Sequence, residues 1–73
     1  MDWRKHISSD PDICHGKPCI TGTRVMISVI LDCLVAEMTP EQIMDEYPSV
    51  TKSGILAALA YSSELTQERI LAA

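Results

Sequence analysis

The chain has 73 residues, 47% of them apolar, with no Phe, one Trp and two Tyr, and a formal charge of -4. A domain of this size buries only about 60% of its unfolded surface, so a large solvent-excluded catalytic pocket is not expected and self-association is a natural source of extra stability. The charge is uneven: residues 1–24 carry four basic and three acidic groups, and the remainder carries two basic and seven acidic ones. That balance speaks against tight, sequence-blind nucleic-acid binding by a monomer. It leaves the N-terminal segment as the place where cations would meet phosphate.

The start, MDWRKHISSD, is polar and does not read as a secretory leader, and no apolar run is long enough to span a membrane. Three cysteines without an oxidising context read as small apolar fillers in a reduced, cytoplasmic protein. Ser9-Asp10-Pro11-Asp12 is turn chemistry. Ile13-Cys14 and Cys19-Ile20 are brief apolar runs around Gly16-Lys17-Pro18, and this arrangement predicts a β-hairpin. An isolated hairpin is marginal in water, so this one requires a partner, either its own helices or a second copy. A homodimer through residues 12–24 is expected, with Ile13, Cys14, Cys19 and Ile20 at the interface.

From residue 27 the period becomes helical. Ile27, Ile30, Leu31, Leu34, Val35 and Met38 form one stripe, which predicts a core-facing helix. Thr39-Pro40-Glu41-Gln42 is a helix start, with Thr39 as N-cap, Pro40 at the first position and Gln42 closing a capping box. Pro48 stops that helix near Tyr47. Thr51 caps a last helix, whose buried face is Ile55, Leu56, Leu59 and Ala60. Gly54 in its first turn is unfavourable by roughly 1 kcal/mol relative to Ala. Beyond Ser62-Ser63 the stripe dilutes. Leu65, Ile70 and Leu71 then form either a frayed end or an apolar surface for a partner. The expected fold is mainly α: three helices with an N-terminal β-hairpin, in a single domain with a hairpin arm at 1–24 and a helical bundle at 25–73.

Chemistry-bearing clusters are sparse. Cys14-His15 and Cys19 form C-H-x-x-x-C, with only His6 and Cys33 left as further ligands. The paired spacing of a zinc site is missing, and C-x-x-x-x-C is not the thioredoxin-type spacing. No metal or other cofactor is expected. Neither His is placed as a base for a nucleophile, and no phosphate-loop frame exists around Gly16-Lys17, so an enzyme is not expected. The remaining arrangement is architectural. Helix 39–47, turn 48–51 and helix 52–63 have helix-turn-helix length, which would bring Thr51, Lys52, Ser53 and Gly54 to a major groove. The rival is a three-helix packing unit without nucleic acid. Composition favours the rival, because Glu41, Asp45 and Glu46 repel phosphates.

HGKPCITGTRVMISVIL, MTPEQIMDEYPSVT and ILAALAY, in this order, resemble the family called domain of unknown function 433, over roughly residues 6–65. The resemblance implies a homeodomain-like helical unit whose N-terminal hairpin serves in dimerisation. It also implies a VapB-type antitoxin, encoded beside a PIN-like nuclease toxin, that covers the toxin and represses the shared operon. On this reading Lys17, Arg24, Thr51, Lys52 and Ser53 contact operator DNA, and Leu65, Ile70 and Leu71 contact the toxin. Lys52-Ser53-Gly54 departs from the acidic-then-branched residues common in the family, so any recognition-helix role is particular to this chain. No long toxin-wrapping tail is expected, which leaves helix 52–73 or the hairpin as the toxin contact. The alternative is a protein-interaction or assembly module without DNA binding.

Overall fold

The computed structural model describes residues 1–67. Two short antiparallel strands are followed by three helices: β1 (Ile7–Ser8), β2 (Cys19–Ile20), α1 (Ile27–Val35), α2 (Pro40–Glu46) and α3 (Lys52–Gln67). A 3-10 turn, Trp3–Lys5, precedes β1. The mainly helical architecture with an N-terminal hairpin follows the expectation from the sequence. One strand of the hairpin does not.

Ile13-Cys14, expected as the first strand, is wound into a turn, and Ile7–Ser8 pairs with β2 instead. Two local features explain the change. The Asp10 side chain accepts the Asp12 amide at 2.8 Å, and the Ile13 amide donates to the Asp10 carbonyl at 2.9 Å, which folds the backbone back before a strand can form. Cys14, His15 and Gly16 then all take positive φ (52, 56 and 80°), a left-handed turn incompatible with extended backbone. Ile7 meets Ile20 in register, with the polar Ser8 pointing outward.

β2 is bonded on both sides. Beyond β1, the Ile20 amide donates to Val25 O at 3.0 Å, the Ile27 amide donates to Pro18 O at 3.0 Å, and Cys19 bridges to Met26. The missing amide of Pro18 therefore costs nothing, because only its carbonyl is used. The return from β2 turns at Gly22, whose φ of 81° suits glycine. Residues 6–26 thus form a narrow ribbon held by turns more than by strands.

The core is aliphatic, as the composition requires. Ile20, Ile27, Ile30, Ile43, Val50, Ile55 and Ala58 make one buried cluster, with Ile7, Val25, Leu31, Leu34, Met44 and Tyr47 packed around it. The hairpin finds its partner within the chain. Ile20 is seated on Gly54 of α3, where a Cβ would lie 3.4 Å from Ile20 Cγ2. The glycine that weakens the helix thereby admits the ribbon. Thr51 caps α3 by accepting the Gly54 amide at 3.1 Å.

α1 ends at Val35, three residues before its stripe does. Glu37 is left-handed at φ 65°, its amide donates to Leu34 O at 3.0 Å, and the Met38 amide donates to Cys33 O at 3.1 Å. This is a Schellman stop, with Glu at the position that usually holds Gly. Val35 lies at the flank of the stripe, roughly 80° round from Ile27 at about 100° per residue. It is 82% exposed rather than buried. Likewise Leu56 and Leu59, expected on the buried face of α3, are exposed, and Ala57 and Ala58 occupy that face instead. Small side chains let α3 approach its neighbours closely, and the bulkier leucines are left outside. α2 matches its signals in full: both capping-box bonds form, at 2.8 and 3.2 Å, and the helix stops at Tyr47.

The N-terminal turn docks on α3. Trp3 meets Tyr61 edge-on at 4.8 Å between ring centroids, and its indole Nε1–H donates to Glu64 Oε2. Arg4 lies 4.5 Å over the Trp3 ring and pairs with Glu64 at 3.3 Å. Both charged side chains are open to solvent, so the ion pair itself contributes little.

Candidate functional site

One groove gathers the specific residues of the ribbon. It measures about 610 Å³ and is lined by Ser8, Asp10, Lys17, Thr23, Arg24 and Ser49 among others. Lys17 reaches it because the left-handed turn hands the chain back toward β2, with the Lys17 amide bonded to Cys14 O at 3.1 Å. Arg24 reaches it from the return turn, which the Thr23 hydroxyl fixes by donating to Ile20 O at 2.8 Å and accepting the Val25 amide at 3.0 Å. Asp10 contributes the opposing charge, though one of its oxygens is held by the Asp12 amide. Ser49 belongs to the turn between α2 and α3, so the groove runs from the two cations to that turn.

Two of the residues expected at DNA, Lys17 and Arg24, are therefore brought together. Thr51, Lys52 and Ser53 are exposed at the start of α3, just beyond Ser49, but are not part of the groove lining. The hydroxyl of Thr51 is already engaged as the cap. Of the residues expected at a dimer interface, Cys19 and Ile20 are 3% and 5% exposed, buried in their own chain's core. Their side chains are not surface groups, because β2 is the middle element of the ribbon rather than its edge. Ile13 and Cys14 are half-buried. Leu65 is exposed on α3, whereas Ile70 and Leu71 lie outside the described residues.

Cys19 lines this groove, and both its thiol and that of Cys14 are bonded to the backbone of a groove cation. Cys14 Sγ donates to Arg24 O at 3.3 Å and Cys19 Sγ to Lys17 O at 3.4 Å. Burial, together with the adjacent Cys14 thiol, pushes the Cys19 thiol up to about 11. Sequence spacing did not reveal this proximity, since C-x-x-x-x-C has no fixed geometry until the intervening turn is known. Among the described residues, no three His, Cys, Asp or Glu side chains gather as a metal site. No helix among them is long and apolar enough to cross a membrane.

Over the described residues, fold and site define a small three-helix unit whose N-terminal ribbon packs into its own core and carries a two-cation groove. The family model described as "Protein of unknown function (DUF433)" matches residues 7–62, and the chain belongs to that family. A crystal structure of a DUF433 member protein from Anabaena variabilis superposes with a TM-score of 0.76 at 21% identity, over 86% of this chain and 62% of that one. At that identity the likeness concerns the fold. The present chain spans less than two thirds of that protein's length. No curated protein matches the chain.

Proposed function

We propose that this protein is a non-enzymatic, cytoplasmic antitoxin that covers a PIN-like toxin encoded by an adjacent gene and contacts operator DNA phosphates through Lys17 and Arg24. The observation that carries the DNA half is the convergence of these two cations, seven positions apart in sequence, on one groove that reaches the α2–α3 turn. Lys52 adds a third exposed cation at the start of α3. The toxin half rests on family membership and on what the resemblance implies.

A gel shift with the DNA upstream of the gene tests the first half. At low salt, where phosphate contacts are strongest, a shift is expected. Lys17→Ala and Arg24→Ala are each expected to weaken it uniformly across sequences and to lower the salt slope by about one. No shift at low salt overturns DNA binding. Co-purification with the product of the neighbouring gene tests the second half.

The second reading is a protein-interaction module without DNA contact. It is favoured by the exposed Glu41, Asp45 and Glu46 of the helix before the turn, and by exposed Leu56 and Leu59 on α3. Co-purification without a gel shift selects this reading. A homodimer is proposed with either reading; because Cys19 and Ile20 are buried, its contacts would fall to Ile13, Cys14 and the exposed turns around them. A light-scattering mass near twice that of the chain supports it, and a monomer at high concentration removes it.

A further inference from the structure

We propose that Cys14 and Cys19 are a thiol oxidation site: a hydroperoxide converts them to a reversible disulfide that resets the Lys17–Arg24 groove. The regulatory half rests on the phosphate-binding reading above, and the bridge itself does not.

The two sulfurs converge because the ribbon doubles back on residues 24–26. Cys14 Sγ is bonded to Arg24 O, Cys19 Sγ to Lys17 O, and Cys19 is bridged to Met26. The Cys14 thiol lies near enough to Cys19 to help hold its proton. Both are free, and the third cysteine, Cys33, lies apart on α1. Bridging requires the two backbones to sit within a few ångströms of an allowed separation. The segment that must adjust is the one already strained, since Cys14 and His15 hold left-handed φ values that cost energy for residues with a Cβ.

The chemistry divides between the two. Cys14 is half-buried and meets the oxidant, while Cys19 is buried and protonated at neutral pH. The Cys14 thiolate attacks the peroxide, so that an S–O bond forms, the O–O bond breaks and the leaving alkoxide takes a proton to become an alcohol. The Cys19 sulfur then attacks the sulfenic sulfur of Cys14. The S–S bond forms, the S–O bond breaks, and the departing hydroxide takes the Cys19 proton as water. Two thiols and one hydroperoxide give one disulfide, one alcohol and one water. The two S–H groups are consumed, so the carbonyls of Lys17 and Arg24 lose their donors. One tie on the backbone of each groove cation is thereby lost.

The test treats the reduced full chain with hydrogen peroxide and follows it by mass spectrometry. Trypsin does not cut at Lys17 because proline follows, so peptide 6–24 carries both cysteines. That peptide is expected to lose two hydrogens, to regain them with dithiothreitol, to behave identically in Cys33→Ala, and to show no such loss in Cys14→Ser. Sulfinic acid at Cys14 with Cys19 still free, or Cys33-linked dimers as the sole product, overturns the bridge. On oxidation the amide resonances of Lys17 and Arg24 are expected to shift in the wild-type chain and to stay in place in Cys14→Ser. A bridge that forms with both resonances unmoved overturns the regulatory half. Absence of a gel shift in both redox states refutes the phosphate reading and leaves the bridge result standing.

Discussion

The ribbon of residues 6–26 and the helical part that follows are stabilised in different ways. The helices bury a regular stripe, and their ends are set by local signals: a capping box at Thr39, a Schellman stop at Glu37 and a threonine cap at Thr51. The ribbon contains only two strands of two residues each and depends on turns, an Asx bond and a few side chains, Ile7, Ile20 and Val25, packed on the helical core. The stable part carries few groups with chemistry, and the groove cations and the thiol pair belong to the part held by turns. Binding residues tend to ride on loops that a rigid scaffold positions, and here the scaffold is the aliphatic core.

The sharpest way to break this contrast is to remove the scaffold. Ile30→Ala empties a fully buried site and is expected to cost about 2–5 kcal/mol. For a domain of this size that is most of the stability, and a chemical denaturation curve reads it as loss of the folded baseline. Gly54→Leu attacks the junction instead. Ile20 has no room for the added side chain, and overpacking of this kind costs about 1–3 kcal/mol. Hydrogen exchange is expected to rise first in the ribbon amides, such as that of Ile20, and later in α2. Uniform exchange across both regions would mean that the ribbon and helices unfold as one unit.

A smaller effect is expected from pH. The Cys19 thiol titrates at about 11 in the fold against 9.0 in a free chain, so the folded form holds its proton more tightly. The stability linked to it is complete below about pH 9 and is lost as pH rises towards 11. At about 1.4 kcal/mol per unit of difference, the loss amounts to a few kcal/mol at most. Comparison of wild type with Cys19→Ala across that window isolates it. The smallest change is at the end of α1, where Glu37→Gly relieves a left-handed residue and is expected to add up to about 1 kcal/mol, measured as a raised melting temperature. No gain there would mean that the glutamate conformation is unstrained.

The helical part was legible because its signals are local. Thr39, Pro40 and Gln42 sit within four residues, and the Ile27-Ile30-Leu31-Leu34 stripe follows a fixed period. Its failures occurred where a neighbour decided the outcome. Val35 sits at the flank of its stripe and is left outside the core. Leu56 and Leu59 lost the buried face to alanines because α3 packs closely. Gly54 reads as a defect until Ile20 is placed against it. The ribbon was harder, since its first strand depends on whether Cys14 and His15 turn left-handed, which neither residue type announces. The meeting of Lys17, Arg24 and Ser49 depends on three turns at once, so the groove was visible only after folding.

The docking of the N-terminal turn has a practical consequence for spectroscopy. The chain has one tryptophan, and it reports from the contact between Trp3, Tyr61 and Glu64 rather than from the isoleucine core. Indole emission therefore registers the release of the N-terminus from α3. Far-ultraviolet circular dichroism registers the helices. If the two melting curves separate, the fluorescence transition comes first, and the difference between the midpoints measures how weakly the first five residues are attached.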